Sequence, residues 1–404
     1  MPGQPTAVQL RPRPDVRSGT RLAAWRRACA IGGALLLAAL AGCSRDSSPP
    51  TSTTGTPATR PPATRPPGAA GTGPASTRPP VGGGPRQPTG APVTLAFGGD
   101  VNFEGVTGAR LARDPATAMG PITRVLRQAD LAMVNLETAV TTRGTPAAGK
   151  EFTFRTPPTA FAALRSSGVD VVTMANNHGE DYGPVGLRDS LAAAAAARFP
   201  VVGIGRDAEQ AFRAWLFTVR GQRIAVLGAT QVLDSSLAAA WSAGDRKPGL
   251  ASAYQTERLL AAVRAARRSA DTVVVFLHWG QELSSCPIAR QRAIAPRLVA
   301  AGADVVVGSH AHVLAGGGFL DGAYVDYGLG NFVFYSSGGA TARTGVLTLT
   351  VRGRAVTGVR WTPATISGGV PLPLSGAAAR QALASWRALR GCTGLQAEAA
   401  VGAG

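Results

Sequence analysis

Lysine is nearly absent from this chain: only Lys150 and Lys247 stand among 41 basic residues, and the rest of the positive charge is arginine. None of those arginines falls in a basic run interleaved with aromatic side chains, so the usual sequence sign of nucleic-acid binding is missing. No Gly-x-Ser-x-Gly elbow occurs, which sets aside a Ser-His-Asp hydrolase of that type, and no P-loop occurs, which sets aside that class of nucleotide site. Histidine and cysteine are both scarce, at four each, and the positions of those eight residues carry most of what can be read here.

Composition divides the chain before any secondary structure is considered. Arg11, Arg13, Arg17, Arg21, Arg26 and Arg27 precede an uncharged apolar stretch at 28–42 that is short for a membrane span and has the length of a signal-peptide core. It ends in Leu40-Ala41-Gly42-Cys43, which resembles a bacterial lipobox. Residues 1–43 are therefore expected to be a lipoprotein signal peptide, with Cys43 the lipidation site and the mature protein held on the outer face of the cell membrane. An ordinary signal peptide or an uncleaved anchor would leave the same charge pattern, and Arg26-Arg27 permits a twin-arginine route. Residues 44–92 are Pro, Thr, Gly and Ser with scattered Arg, too poor in large apolar side chains to offset chain entropy, so they read as a solvated tether. Removing the leader, with six Arg and one Asp, lowers the formal charge from +18 to +13; the tether's five Arg and one Asp leave +9 on the remainder. That excess suits an anionic polymer as partner, although the Ala/Arg/Gly bias fits a GC-rich genome equally well.

Cys29 leaves with the leader and Cys43 is assigned to lipid, so Cys286 and Cys392 remain. In an oxidising exterior the pair is expected to form a disulfide tying the loop after the His278 segment to the C-terminal helix.

From Val93 onward, β-branched apolar runs alternate with helical patterns. Strands are expected at 93–97, 131–134, 169–174, 201–204, 272–277 and 304–307, with a hairpin of 215–219 and 223–227 turning at Gly221. Helices are expected at 121–128, 158–166, 184–197, 256–269 and 289–301. After Leu314 the pattern turns to short strands and glycine-rich turns, ending in a hairpin of 346–351 and 355–361. The order predicts an α/β fold: two sheets packed together with helices outside, spanning 93–365, followed by a helical extension and tail at 366–404.

His178, His278, His310 and His312 all lie just past the ends of such strands, where open α/β sheets place their ligand crevice. The other strand ends carry Asp100, Asn135 with Glu137, Asn177, Glu282 and Asn331. Carboxylates, carboxamides and imidazoles gathered on one rim are the donor set of a divalent transition metal. Any one of these histidines alone is better explained by a structural role; four at equivalent positions point to a site.

The segments Gly99-Asp100, Asn135-Leu136-Glu137, Asn176-Asn177-His178-x-x-Asp181-Tyr182-Gly183, His278-Trp279-Gly280-x-Glu282, Gly308-Ser309-His310-x-His312 and Leu329-Gly330-Asn331-Phe332 resemble the CapA family of bacterial capsule and poly-γ-glutamate synthesis proteins over roughly 93–334. That family is in turn similar to the calcineurin-like metallophosphoesterases, which implies a four-layer αββα sandwich and one or two divalent ions, Mn, Fe or Zn. The resemblance implies Asp100 and His312 on a first metal, Glu137 near the bridging position, and Asn177, His278 and His310 on a second. It implies His178 as proton donor or oxyanion stabiliser. Glu282 is a general base or a partner orienting His278, and Asn135, Asp181 and Asn331 support the site. The chain departs from the metallophosphoesterase pattern in having Asp100-Val101-Asn102 where that pattern has Asp-x-His, so the first site lacks an imidazole. The expected function is a surface lipoprotein of capsule or extracellular polymer assembly, working with a membrane polymer-synthase complex. A secreted metal-dependent phosphoesterase acting on envelope phosphates is the alternative, and a metal-free binding module is the third reading.

Overall fold

The computed structural model describes residues 90–399; the leader, Cys43 and nearly all of the expected tether lie outside the described residues. In chain order the strands of the two large sheets are β1 (Val93–Val101), β2 (Leu131–Leu136), β3 (Val171–Thr173), β4 (Val201–Val202), β5 (Trp215–Val219), β6 (Gln222–Thr230) and β7 (Thr272–His278). They continue with β8 (Val305–Ser309), β9 (Gly317–Leu320), β10 (Ala323–Asp326), β11 (Asn331–Val333), β12 (Arg343–Arg352), β13 (Ala355–Ser367) and β14 (Val370–Pro373). An eight-stranded sheet runs β14-β13-β12-β1-β2-β3-β4, with β11 joined to β1 off this path, and a six-stranded sheet runs β9-β10-β8-β7-β6-β5. At the centre of each sheet the pairing is parallel: β1 with β2, β2 with β3, β6 with β7 and β7 with β8. Parallel strands need crossovers that cover both faces, and every residue of β2, β7 and β8 is buried.

The two-residue period of a strand sorts these residues into layers. In β7, Val273, Val275 and Leu277 pack with Leu259 and Val263 of a helix at Thr256–Ser269 and with Leu298 of one at Ala289–Ala301. The intervening Val274 and Phe276 meet Phe97 and Met133 of the other sheet. On that sheet's outer face Ala132 and Val134 pack with Phe161 and Leu164 of a helix at Thr159–Ser166 and with Leu187 of one at Gly183–Ala197. The layers are therefore helix, sheet, sheet, helix, as expected. Burying each Leu, Val or Phe of this core contributes about 1.5–3 kcal/mol before chain entropy is counted.

Several local expectations are corrected. A single helix at 121–128 is replaced by a tight 3-10 turn at Gly120–Ile122 followed by one helical turn at Thr123–Leu126. The strand expected at 201–204 is two short ones, Val201–Val202 and Ile204–Gly205. The domain boundary expected at 365 falls inside β13, and β14 continues the same sheet. A C-terminal helix at Gly376–Ala388 packs on β13 with Trp386 stacked on Trp361, ring centroids 5.1 Å apart. Beyond it, Cys392 is disulfide-bonded to Cys286 of the loop after β7, with Cα atoms 5.7 Å apart. Among the described residues no helix is long and apolar enough to cross a membrane.

Candidate functional site

The apolar inner face of each central strand turns polar at its carboxyl end. Asn135 follows Leu131 and Met133 at the two-residue period, His278 follows Val274 and Phe276, and Ser309 follows Val305 and Val307. The polar mouth of the gap between the sheets is thus written into the strand sequences. Two glycines let it close. A Cβ on Gly99 would lie 1.8 Å from the carbonyl oxygen of Gly330, and one on Gly308 would lie 1.9 Å from the indole nitrogen of Trp279. The Gly99 backbone therefore lies against the 330 segment, whose Gly330 carbonyl accepts from the Asp100 N–H (2.9 Å), and Trp279 packs on Gly308 while donating to the Tyr327 carbonyl (3.0 Å).

Asp100 and His278 are locked together by one carboxamide. Asn135 Nδ2 donates to Asp100 Oδ1 (2.8 Å) and lies 3.1 Å from His278 Nδ1, while its Oδ1 accepts from Asn176 Nδ2 (2.9 Å). With Nδ1 accepting, the proton of neutral His278 sits on Nε2 and is donated to Asn177 Oδ1 (2.7 Å). Asp100 Oδ2 accepts from the His310 backbone N–H (3.1 Å) and lies 3.7 Å from His312 Nδ1, which also lies 2.8 Å from Asn331 Oδ1. His310 and His312 both adopt positive φ, 99° and 57°, a conformation that costs an ordinary side chain about 1–3 kcal/mol and that clusters at functional sites. The rings of His278 and His310 are 4.7 Å apart and those of His310 and His312 are 6.0 Å apart.

Glu137 is the anomaly of this rim. It is fully buried, neither carboxyl oxygen has a hydrogen-bond partner, and Oε1 stands 3.4 Å from His278 Nε2. The buried Nδ1 of His310 is also unpartnered. Glu137, His310 and His312 each offer a ligand atom within 4.8 Å of the others. Burial raises the pKa of Glu137 well above the ordinary carboxylate value, and the charges of Asp100 and Glu282 push the same way. Burial likewise raises Asp100, against the pull of His312 and its hydrogen bonds. The imidazoles move oppositely: burial lowers His278 well below its ordinary value and takes His310 down to about 3, with neighbouring imidazoles adding to both. Neutral imidazoles beside two buried carboxyls, one of them without any partner, form a site that a divalent cation would relieve, since the ion supplies the missing charge. A hard carboxylate and two borderline imidazoles fit a first-row transition ion.

His178 sits beside this group, held from behind. Its Nδ1 donates to Asp181 Oδ2 (2.6 Å), and Phe154 stacks on its ring with centroids 4.0 Å apart. Burial lowers its pKa to about 4 despite Asp181, which leaves a neutral ring with Nε2 unprotonated. Asp181 in turn accepts from the Phe154 backbone N–H (2.6 Å) and pairs with Lys150 Nζ at 2.6 Å. Lys150 also donates to the Asn177 carbonyl and lies over the Trp241 ring at 4.9 Å.

The structure brings Asp100, Asn135, Glu137, Asn177, His278, His310, His312 and Asn331 into one connected cluster, with His178 and Asp181 at its side. Glu282 is separate: it is exposed in the turn after β7, and its influence on Glu137 is Coulombic. Orientation of His278, one of the two roles the sequence offered Glu282, falls to Asn135, Asn177 and Ser309, whose Oγ lies 3.3 Å from His278 Nδ1. Sequence reasoning missed Lys150, Phe154 and Asn176. Lys150 carried a usable signal, being one of two lysines in an arginine-rich chain.

The family model described as bacterial capsule synthesis protein PGA_cap matches residues 94–336. The chain is 35% identical over 212 residues to the PGA biosynthesis protein CapA of Bacillus subtilis (strain 168), covering 52% of this chain and 54% of that protein. It is 34% identical over 219 residues to the capsule biosynthesis protein CapA of Bacillus anthracis, covering 53% and 52%. The chain thus spans about half the length of the curated relatives it matches. A solved phosphatase from Mycoplasma pneumoniae superposes over 68% of this chain and 94% of that one with 15% identity and a TM-score of 0.43, a likeness too distant to bear on chemistry.

Proposed function

The chain belongs to the bacterial capsule synthesis protein PGA_cap family, and from that membership we propose that it is an accessory factor in the assembly of an anionic extracellular polymer of the capsule or poly-γ-glutamate type. It works with a membrane polymer-synthase complex and is held on the outer face of the cell membrane through Cys43. The rim of Asp100, Glu137, Asn177, His278, His310 and His312 holds one or two divalent transition ions (Mn, Fe or Zn). The observation that carries the metal reading is the orphaned, fully buried Glu137 carboxyl grouped with His310 and His312, each offering one ligand atom within 4.8 Å of the others. When bound, a divalent ion supplies Lewis-acid polarisation of a substrate oxygen or an activated water. The chain's own residues then orient and move protons: Asn135, Asn177 and Ser309 position the His278 ring, whose Nε2 would have to give up its proton to serve as a ligand, and Asp181, braced by Lys150, fixes His178 with Nε2 open to take a proton.

The experiment is deletion of the protein followed by complementation with wild type, Cys43→Ala and His310→Ala/His312→Ala forms, reading surface and secreted polymer. Loss on deletion, restored by wild type alone, is the expected result; unchanged polymer on deletion overturns the reading. A second reading, a metal-dependent phosphoesterase acting on envelope phosphates, is favoured by His178, whose fixed tautomer places an unprotonated Nε2 beside the cluster. It predicts turnover of simple phosphomonoesters or diesters with manganese, abolished by His310→Ala.

A further inference from the structure

On the flank of the sandwich, where the C-terminal helix lies across β10 and β13, a cleft of about 250 Å³ is lined by Tyr324, Arg360, Trp361, Trp386, Arg387 and Arg390 among others. The charge here is not neutralised. Some surface arginines are paired with acids, as Arg143 is with Asp189, Arg220 with Asp130 and Arg297 with Glu257. Among the described residues none of the ion pairs involves Arg360, Arg387 or Arg390. Arg390 is instead fixed by donating Nε to the Gly317 carbonyl (2.9 Å), a contact that positions its guanidinium without cancelling its charge.

The floor supplies a second, independent observation. Tyr324 and Trp386 are 2% and 5% exposed, and the hydroxyl of one and the indole nitrogen of the other are buried without any partner. A buried donor left unpaired is unfavourable by about 1–3 kcal/mol, and both residues that carry one line this cleft. Asp326, two residues along β10, is the carboxyl beside this floor; it is fully buried, with Oδ1 accepting from the Gly328 N–H (3.0 Å) and Oδ2 without a partner. Trp361 and Trp386 stack with an interplanar angle of 2° and form a flat apolar wall.

We propose that this cleft is an anion-binding site distinct from the metal rim, taking an oxyanion carried on a chain, a carboxylate or a phosphate, with the guanidinium forks on the anion and the chain against the tryptophan wall. Guanidinium geometry matches both oxyanions through paired hydrogen bonds, which lysine would not provide. The two sites are separated along the strands: Tyr324 is in register with Val305, at the opposite end of β8 from Ser309 and the rim. An extended polyanion engaged at the flank would thereby be held by the same domain that carries the rim.

The test is equilibrium titration of the full chain with a short γ-linked oligoglutamate and, separately, with a short polyphosphate, followed by tryptophan fluorescence and calorimetry at low and raised salt. At least one polyanion is expected to bind, more weakly as salt screens the arginines. Arg360→Gln/Arg387→Gln changes two exposed side chains and should weaken binding about tenfold or more, whereas His310→Ala/His312→Ala should leave it unchanged. Trp386→Phe should lower both affinity and the fluorescence response. Which polyanion binds identifies the oxyanion. Absence of binding by both, or binding by the arginine variant within about twofold of wild type, overturns the proposal. Binding lost in the histidine variant but kept in the arginine variant would also overturn it, by assigning the polyanion to the rim.

Discussion

Glu137→Gln should make the metal-free protein more stable while removing its response to metal. In the metal-free state the carboxyl is fully buried, both oxygens lack partners, and burial and the charge of Asp100 hold its pKa well above 4.5. A raised acid pKa means that the folded state keeps a proton the unfolded chain releases, so stability falls as pH rises above 4.5 toward the folded value. An amide of the same shape carries no charge at any pH and can keep an oxygen 3.4 Å from His278 Nε2. Linkage makes wild type lose at most about 1.4 kcal/mol per pH unit between 4.5 and the folded pKa, so the uncharged variant should gain on wild type with up to that slope from about pH 5 to about pH 8. Excess manganese should reverse the order: at a hundredfold excess over Kd a bound ion stabilises wild type by about 2.7 kcal/mol, and the variant has lost its anionic ligand. Urea unfolding at the two pH values, with chelator and with manganese, reads all four numbers. A variant that is destabilised at the higher pH, or one that still gains stability with manganese as wild type does, refutes the reasoning.

Lys150→Met removes one partner of a buried ion pair, stranding Asp181, and should cost about 3–5 kcal/mol in urea unfolding; a loss below about 1 kcal/mol would show that the Lys150–Asp181 pair does not brace the His178 loop. Cys286→Ser/Cys392→Ser opens a loop of 106 residues, for which chain entropy gives about 4.8 kcal/mol; unfolding free energies of oxidised and variant protein that agree within about 1 kcal/mol would contradict it. Asp326 is raised by burial from 3.8 to about 7, so its contribution to stability is present below 3.8 and lost as pH climbs to about 7. Asp326→Asn should flatten stability against pH in that window, by at most about 1.4 kcal/mol per pH unit, and an unchanged slope would argue that the carboxyl is not buried in the folded protein.

The layers of the sandwich and the rim were legible because both follow from strand periodicity. Runs such as Thr272–His278 announce a strand covered on both faces, and their ends fix where His278 and Ser309 must emerge. Helices with an unbroken amphipathic face, Thr256–Ser269 and Ala289–Ala301, were legible to the residue. The helix at Gly105–Arg113 was not: it begins on Gly105 at positive φ and contains Gly108, and glycine weakens any helical signal. The rarity of Lys150 did not place it in the site, because its partners Asp181 and Asn177 are distant in sequence and only tertiary packing joins them. Glu282 misled for the opposite reason, since closeness in sequence to His278 put it in an exposed turn and not against the ring. The flank cleft needed the C-terminal helix to be placed, because Trp386, Arg387 and Arg390 mean nothing apart from β10 and β13.

As proposed, the buried carboxyl and imidazoles of the rim are metal ligands. Elemental mass spectrometry of the purified full chain, beside its His310→Ala/His312→Ala variant, tests it most directly. One or two divalent transition ions per wild-type chain are expected, lost from a variant that remains folded by circular dichroism. A folded wild type that takes up no such ion from a solution supplied with manganese, iron and zinc would contradict it.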